Sequence, residues 1–339
     1  MARAIDVFFH KGKMAYPLFV FMHGLGMDKN VWVYPEKARV LAGSYPIEIM
    51  LSRAPQQKVV SRQESISPIT TGELSYELDT VFHDLMALDM PCLAFSLQRP
   101  ANEVVYALNE LTGILNAYKD YTRQGVIIVG HSRGAVVARR FAETLPPTVD
   151  VPLLGIISIS APHGGSTLAK WATVLSTFTS LVLPYLEDVE KGTFLSKIQR
   201  SFNFLSSRAV KELLPNSELI RSLVAKPARK FFTLSIGTIK AELFTLYSVQ
   251  FNSRPGDDKR MLTYKKLFSV PEILTTILPN GIAPDEITDG LGDGLVSEKS
   301  SRIPYSDKHI VYPLNHVEVL FDEQVRTDII SELKQQGFV

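Results

Sequence analysis

The 339 residues are 45% apolar and 21% charged and carry a net charge of +1, the balance of a globular chain with enough apolar mass for a large core. No basic stripe runs through the chain, which excludes a nucleic-acid footprint; the runs Lys226 to Lys230 and Lys259 to Lys266 are short and interrupted and read as solvated loop edges. One cysteine, Cys92, excludes an intramolecular disulfide, and its place in the apolar run Met90 to Phe95 reads as a buried strand thiol.

Apolar runs alternate with amphipathic stretches along the chain. Met1 to Asp6 lack the continuous apolar stretch of a secretory signal, so a cytoplasmic location is expected. Leu18 to Met22 reads as a buried strand ending in His23-Gly24-Leu25-Gly26. Residues 36–71, rich in Ser, Pro and Gln, read as irregular, and 73–88 as helical. Cys92 to Ser96 is the next strand, Asn102 to Tyr118 a helix, Val126 to Val129 a third strand, and 134–144 a helix after it. Leu154 to Ile159, Phe231 to Ile236 and His309 to Tyr312 are three further strands, and Asp322 to Gln335 a closing helix. The stretch Trp171 to Leu186 is broken by Ser and Thr and falls short of the ~18 apolar residues a membrane span needs. Continuous apolar strands alternating with helices predict an α/β chain with a mostly parallel sheet covered on both faces, whose ligands bind at the carboxyl ends of the strands.

Gly130-His131-Ser132-Arg133-Gly134 fits G-x-S-x-G between a predicted strand and a predicted helix. That context gives the pattern its meaning: a serine on a sharp strand-to-helix turn, with Gly130 and Gly134 letting strand and helix approach closely. Acyl transfer at such a serine needs two backbone N–H groups aimed at the developing oxyanion. Arg133 supplies one, and Leu25, in the loop after the first buried strand, is expected to supply the other. His23 and Gly24 are read as support for that loop.

A base must come late in the chain, after an acid. Of the seven histidines only His309 and His316 qualify, and His316, in the loop after the last strand, is favoured because His309 begins that strand at its far end. Asp293, flanked by glycines in Gly290-Leu291-Gly292-Asp293-Gly294, is the leading acid candidate; Asp289 and Asp285 rival it on spacing.

Together these segments resemble the lipase branch of the α/β-hydrolase superfamily, and bacterial triacylglycerol lipases in particular. The resemblance rests on His23-Gly24-Leu25, Gly130 to Gly134, Ala161-Pro162-His163-Gly164-Gly165-Ser166, Glu212 to Ser217, Asp293-Gly294-Leu295-Val296 and Asn315-His316, in order over most of 17–335. It implies an α/β-hydrolase fold with a catalytic triad of Ser132, Asp293 and His316, and it raises Asp293 above Asp289. It implies a core of 1–166 and 226–339, interrupted at 240–290, and a helical lid at 167–225, with Trp171, Phe178 and Leu181 on an apolar surface over the substrate pocket; an apolar stripe at that spacing reads equally as a packed helix pair forming a pocket wall. The activity it implies is cleavage of acyl esters of lipids, with no cofactor and transient contact with a lipid interface. Relatives of this kind often bind a structural calcium ion near the histidine loop, through an aspartate two residues after the histidine. That position is Glu318 here, and the ~6–8 oxygens calcium takes are not evident, so no metal is assigned.

Overall fold

The six apolar runs become strands of one sheet, and their patterning explains their places in it. The computed structural model describes residues 5–40, 43, 45–145, 151–167, 207–224, 227–252, 258–270 and 283–339. Its longer strands are β1 (Asp6–His10), β2 (Leu18–Met22), β3 (Cys92–Ser96), β4 (Val126–His131), β5 (Leu153–Ile159), β6 (Phe232–Thr238), β7 (Phe244–Asn252), β8 (Lys259–Val270) and β9 (Lys308–Tyr312). The central sheet has the order β1-β3-β2-β4-β5-β6-β9. All neighbours are parallel except β1, which runs antiparallel to β3 at one edge.

Strands β2 and β4 are buried along their whole length because both faces are covered. With a side-chain period of two, Phe19, Phe21, Ile127 and Val129 face one apolar cluster, while Leu18, Val20, Met22, Val126 and Ile128 face the other. Phe21 packs edge-on against Trp32 and Phe82, with ring centroids 5.2 and 4.9 Å apart. Helices α1 (Val81–Ala87) and α4 (Glu323–Gln335) add Phe82, Val325 and Ile329 to the first cluster. Helices α2 (Val104–Ala117) and α3 (Arg133–Thr144) close the second through Leu111, Leu115 and Ala135 to Ala138. Cys92 is a free, buried thiol in β3, and burial pushes its pKa up.

The helix expected over 73–88 shortens to α1. Gly72, at φ +105° and tight against the Arg53 carbonyl, turns the chain so that Glu73–Leu74 pairs with Ser52–Arg53 as a small antiparallel ribbon. The helix starts only where His83 Nδ1 accepts the Thr80 N–H at 3.1 Å. Residues 36–71, expected to be irregular, contribute edge strands. Lys58–Ser61 and Ile69–Thr70 flank the β7–β8 hairpin in a second, four-stranded antiparallel sheet. The hairpin also gives regular structure to much of 240–290.

Of the insertion expected at 167–225, residues 168–206, with Trp171, Phe178 and Leu181, lie outside the described residues. The described part, 207–224, packs on the core. Leu213 and Leu219 join the second apolar cluster, and Arg139 and Arg140 of α3 donate to the carbonyls of Val224 and Ser222 at 2.8 and 3.0 Å. Among the described residues no helix is long and apolar enough to cross a membrane.

Candidate active site

The strand-to-helix turn between β4 and α3 places Ser132. Its backbone is at φ 53° and ψ −127°, a conformation an L-residue holds only when its surroundings enforce it. Two glycines make the turn possible: a Cβ on Gly130 would lie 2.5 Å from Ala135 Cα, and one on Gly134 would lie 2.6 Å from the carbonyl oxygens of Met22 and His23. The Ser132 N–H donates to the Ile159 carbonyl at 2.8 Å, fixing the turn to β5. Arg133 is the first residue of α3, where a backbone N–H has no acceptor within its own helix. Its guanidinium is buried and donates to the carbonyls of Asn102 at 2.6 Å and Pro100 at 3.4 Å, tying α3 to the loop after β3. Burial pushes its pKa down to about 10.

The loop after β2 lies against this turn. A Cβ on Gly24 would stand 3.2 Å from Ser132 Cβ and 2.8 Å from His131 Nδ1, so Gly24 borders Ser132 directly. His23 holds the loop as a neutral ring: Nδ1–H donates to the Gly24 carbonyl at 2.9 Å, and Nε2 accepts the Leu97 N–H at 3.1 Å. Burial lowers its pKa, which favours that neutral state. Gly24→Ala is expected to push this loop off Ser132 and cost about 10²-fold in kcat, the scale of losing one oxyanion donor. Steady-state kinetics on an ester substrate check it.

Asp293 and His316 meet at the carboxyl edge of the sheet. His316 Nδ1 donates to Asp293 Oδ2 at 2.9 Å, with both side chains buried. The other carboxylate oxygen, Oδ1, accepts N–H groups from Leu295 at 3.0 Å and Val296 at 2.7 Å, which fixes the acid within its own glycine turn. The turn needs those glycines: Gly294 sits at φ +93°, and a Cβ on Gly292 would strike the Asp285 carbonyl at 2.5 Å. Asp289 instead accepts the Ala241 N–H at 3.3 Å, and Asp285 opens a short 3-10 turn. His309 bonds Ser235 Oγ at 2.7 Å and Glu298 at 3.1 Å.

The histidine loop is tied to the elbow by its backbone. His131 Nε2–H donates to the His316 carbonyl at 2.9 Å, and the two rings lie 4.8 Å apart between centroids. Among the described residues no hydrogen bond joins Ser132 Oγ to the His316 ring. Such bonds commonly tighten only when substrate is bound.

Two hydroxyls unremarked in the sequence complete the acid's environment. Thr238, at the end of β6, donates to Asp293 Oδ2 at 2.7 Å, and Ser160 Oγ lies 2.7 Å from Thr238 Oγ1. Because the single Thr238 proton points at the carboxylate, Ser160 must donate to Thr238. The segments Ala161–Ser166 and Glu212–Ser217 pack together, with the Ser166 N–H on the Leu213 carbonyl at 2.7 Å, while Glu212 accepts the Val104 N–H at the start of α2 at 2.7 Å.

Burial is the main cause that lowers the pKa values of His23, His131 and His163. In the unfolded chain these rings titrate at the ordinary histidine value of about 6.5, so below it the unfolded state binds more protons. Their contribution to stability is complete above about pH 7 and is lost progressively as pH falls below about 6.5 toward the lowered folded-state values. The melting temperature is expected to drop steadily from about pH 7 to pH 5. His131→Gln, whose amide still reaches the His316 carbonyl, is expected to make that slope shallower. A melting temperature flat across this window contradicts the neutral burial of these rings.

No protein-family model matches the sequence, and no curated protein matches it significantly. Solved structures do. The mature Bacillus licheniformis lipase BlEst2 superposes with a TM-score of 0.53 at 14% identity, over 96% of this chain and 97% of that one. Its propeptide form gives a TM-score of 0.53 at 15% identity, over 96% of this chain and 53% of that one. Together with the sheet order, this likeness identifies an α/β-hydrolase fold. A bacterial lipase is thus among its structural neighbours.

Proposed function

We propose that the protein is a serine ester hydrolase that cleaves acyl esters, with lipids as the substrate class. The observation that carries this reading is the buried Asp293–His316 pair, bonded at 2.9 Å and tied through His131 to a serine held on a strained elbow. The lipid class is supported by the segments that resemble bacterial triacylglycerol lipases and by the fold shared with a bacterial lipase.

In the proposed reaction the ester carbonyl carbon sits above Ser132 Oγ, and its oxygen faces the N–H groups of Leu25 and Arg133. His316 Nε2 takes the Ser132 proton as Oγ attacks, and the C=O π pair moves onto the oxyanion. Collapse of the tetrahedral species breaks the bond to the alcohol, which leaves with the proton from His316. Water, deprotonated by His316, then attacks the acyl-enzyme and releases the acid and Ser132. Asp293 holds the Nδ1–H tautomer, so that Nε2 is the acceptor, and stabilises the imidazolium.

The test is hydrolysis of p-nitrophenyl esters from short to long acyl chains, with product analysis in the presence of an alcohol. Serine-dependent release of free acid, rising with chain length and at a lipid interface, is the expected result. Short-chain preference would restrict the substrate to soluble esters. Transfer of the acyl group to the alcohol in place of water would make the protein an acyltransferase on the same residues.

A further inference from the structure

The segment that follows β6 touches both catalytic loops at nearly every residue. Thr238 Oγ1 donates to Asp293, the Ile239 carbonyl accepts the Gly290 N–H at 2.8 Å, and the Ala241 N–H donates to Asp289. Ile239 and Lys240 donate their N–H groups to the carbonyls of Tyr312 and Leu314, both at 3.1 Å. The carbonyls of Glu242 and Leu243 accept from Asn315 Nδ2 at 3.0 and 3.4 Å, and the same nitrogen donates to the Met50 carbonyl at 3.0 Å. Residues 238–243 thus form a strut between the acid loop and the histidine loop.

One charged pair sits within the strut. Lys240 Nζ lies 2.6 Å from Glu318 Oε1, with the Glu318 side chain 1% exposed and that of Lys240 34%. The second carboxylate oxygen accepts the Asn315 N–H at 3.0 Å. Asn315 Oδ1 in turn accepts the N–H groups of Val317 at 2.9 Å and Glu318 at 2.8 Å, closing the turn that carries His316. Glu318 is also the position where the resemblance to calcium-binding lipases puts a metal ligand. Its donor set does not fit a metal. Each carboxylate oxygen is already engaged, one of them by an ammonium group, and among the described residues no cluster of three or more His, Cys, Asp or Glu side chains is disposed around an ion.

From this we infer that the Lys240 ammonium is the resident cation of the histidine loop: it neutralises the buried Glu318 and so positions His316 against Asp293 without a metal ion. Lys240 is a positioning residue, and its effect on turnover rests on the function proposed above. A buried carboxylate stripped of its ion-pair partner is strongly destabilising, whereas replacing both partners by neutral groups is far better tolerated.

The experiment is a double-mutant cycle on the full-length protein, read by melting temperature and, well below melting, by ester hydrolysis. Lys240→Met is expected to lower the melting temperature by about 5 °C and to lower kcat by roughly 10-fold, with KM nearly unchanged, because a loop that has shifted misplaces the base but not the acyl site. Lys240→Met/Glu318→Gln is expected to recover most of both losses. Wild type is expected to keep its melting temperature and activity after exhaustive chelation. Three results would overturn the inference: no coupling between the two substitutions, a melting temperature that falls on chelation, or a stability loss unaccompanied by any loss in kcat. The melting data and the chelation result decide the ion pair even where no ester is turned over, so failure of the functional reading stays distinguishable from failure of this one.

Discussion

Replacing Ser132 by alanine is expected to lower kcat by about 10⁶-fold while leaving the fold intact. The size follows from the proposed chemistry: without Oγ there is no acyl-enzyme, and only the rate enhancement due to the oxyanion groups and substrate binding remains. The intact fold follows from the local structure. Among the described residues Ser132 Oγ makes no hydrogen bond, so its removal orphans no buried partner. The strained φ of 53° is set by the surrounding turn and is carried by alanine as it is by serine. Ester kinetics and a thermal melt on the same preparation check both halves. Retained turnover, or a melting temperature that collapses, contradicts the account.

Asp293→Asn is expected to lower kcat by about 10⁴-fold at neutral pH. The carboxylate accepts four hydrogen bonds: from Leu295, Val296, Thr238 and the His316 ring. An amide of the same shape has one oxygen, and its NH₂ is a donor. With the oxygen kept on the two backbone N–H groups, the NH₂ faces His316 Nδ1 and turns that atom into an acceptor. The ring proton then sits on Nε2, where it blocks abstraction of the Ser132 proton. Asp289→Asn is the control. Its carboxylate accepts the Ala241 N–H at 3.3 Å, so activity close to wild type is expected. Equal losses at Asp289 and Asp293 would remove the basis for assigning the acid.

The residues legible in the sequence are those whose chemistry is announced locally. Ser132 stands between two glycines, at the boundary of an apolar run and a helical pattern, and the turn needs those glycines for steric reasons that act within five residues. His316 is read from the order of the chain and from a loop that ends a strand, whereas Asp293 is preferred for its flanking glycines and through a resemblance. Spacing alone leaves Asp285 and Asp289 as rivals; in the structure the Asp293 carboxylate meets the His316 ring, whereas Asp289 accepts the Ala241 N–H. Thr238, Ser160, Lys240 and Asn315 show the limit more sharply. Thr238 is one polar residue at the end of an apolar strand, and its role depends on β6 lying beside β9 and on Asp293 returning 55 residues later. Glu318 is marked in the sequence only by a resemblance, and its partner is a lysine 78 residues upstream.

The same distinction holds for the fold. Runs buried on both faces, such as β2 and β4, declare themselves by continuous hydrophobicity. Strand β1 does not, because an edge strand is half exposed and begins with Asp6, which pairs with Lys29 at 2.6 Å. The second sheet leaves no local signal in the sequence, because Lys58–Ser61 finds its partner in β8, about 200 residues away. The helix expected over 73–88 failed for a local reason, the backbone of Gly72, which favours a turn and a short ribbon over a longer helix.

The central claim, that Ser132 is an activated nucleophile, is tested most directly by treating the native protein with a fluorophosphonate and locating the adduct by peptide mass spectrometry. The account predicts a single stoichiometric adduct on Ser132, abolished by Ser132→Ala and strongly slowed by His316→Ala. No adduct, or one on another serine at the same rate in the Ser132 variant, would contradict it.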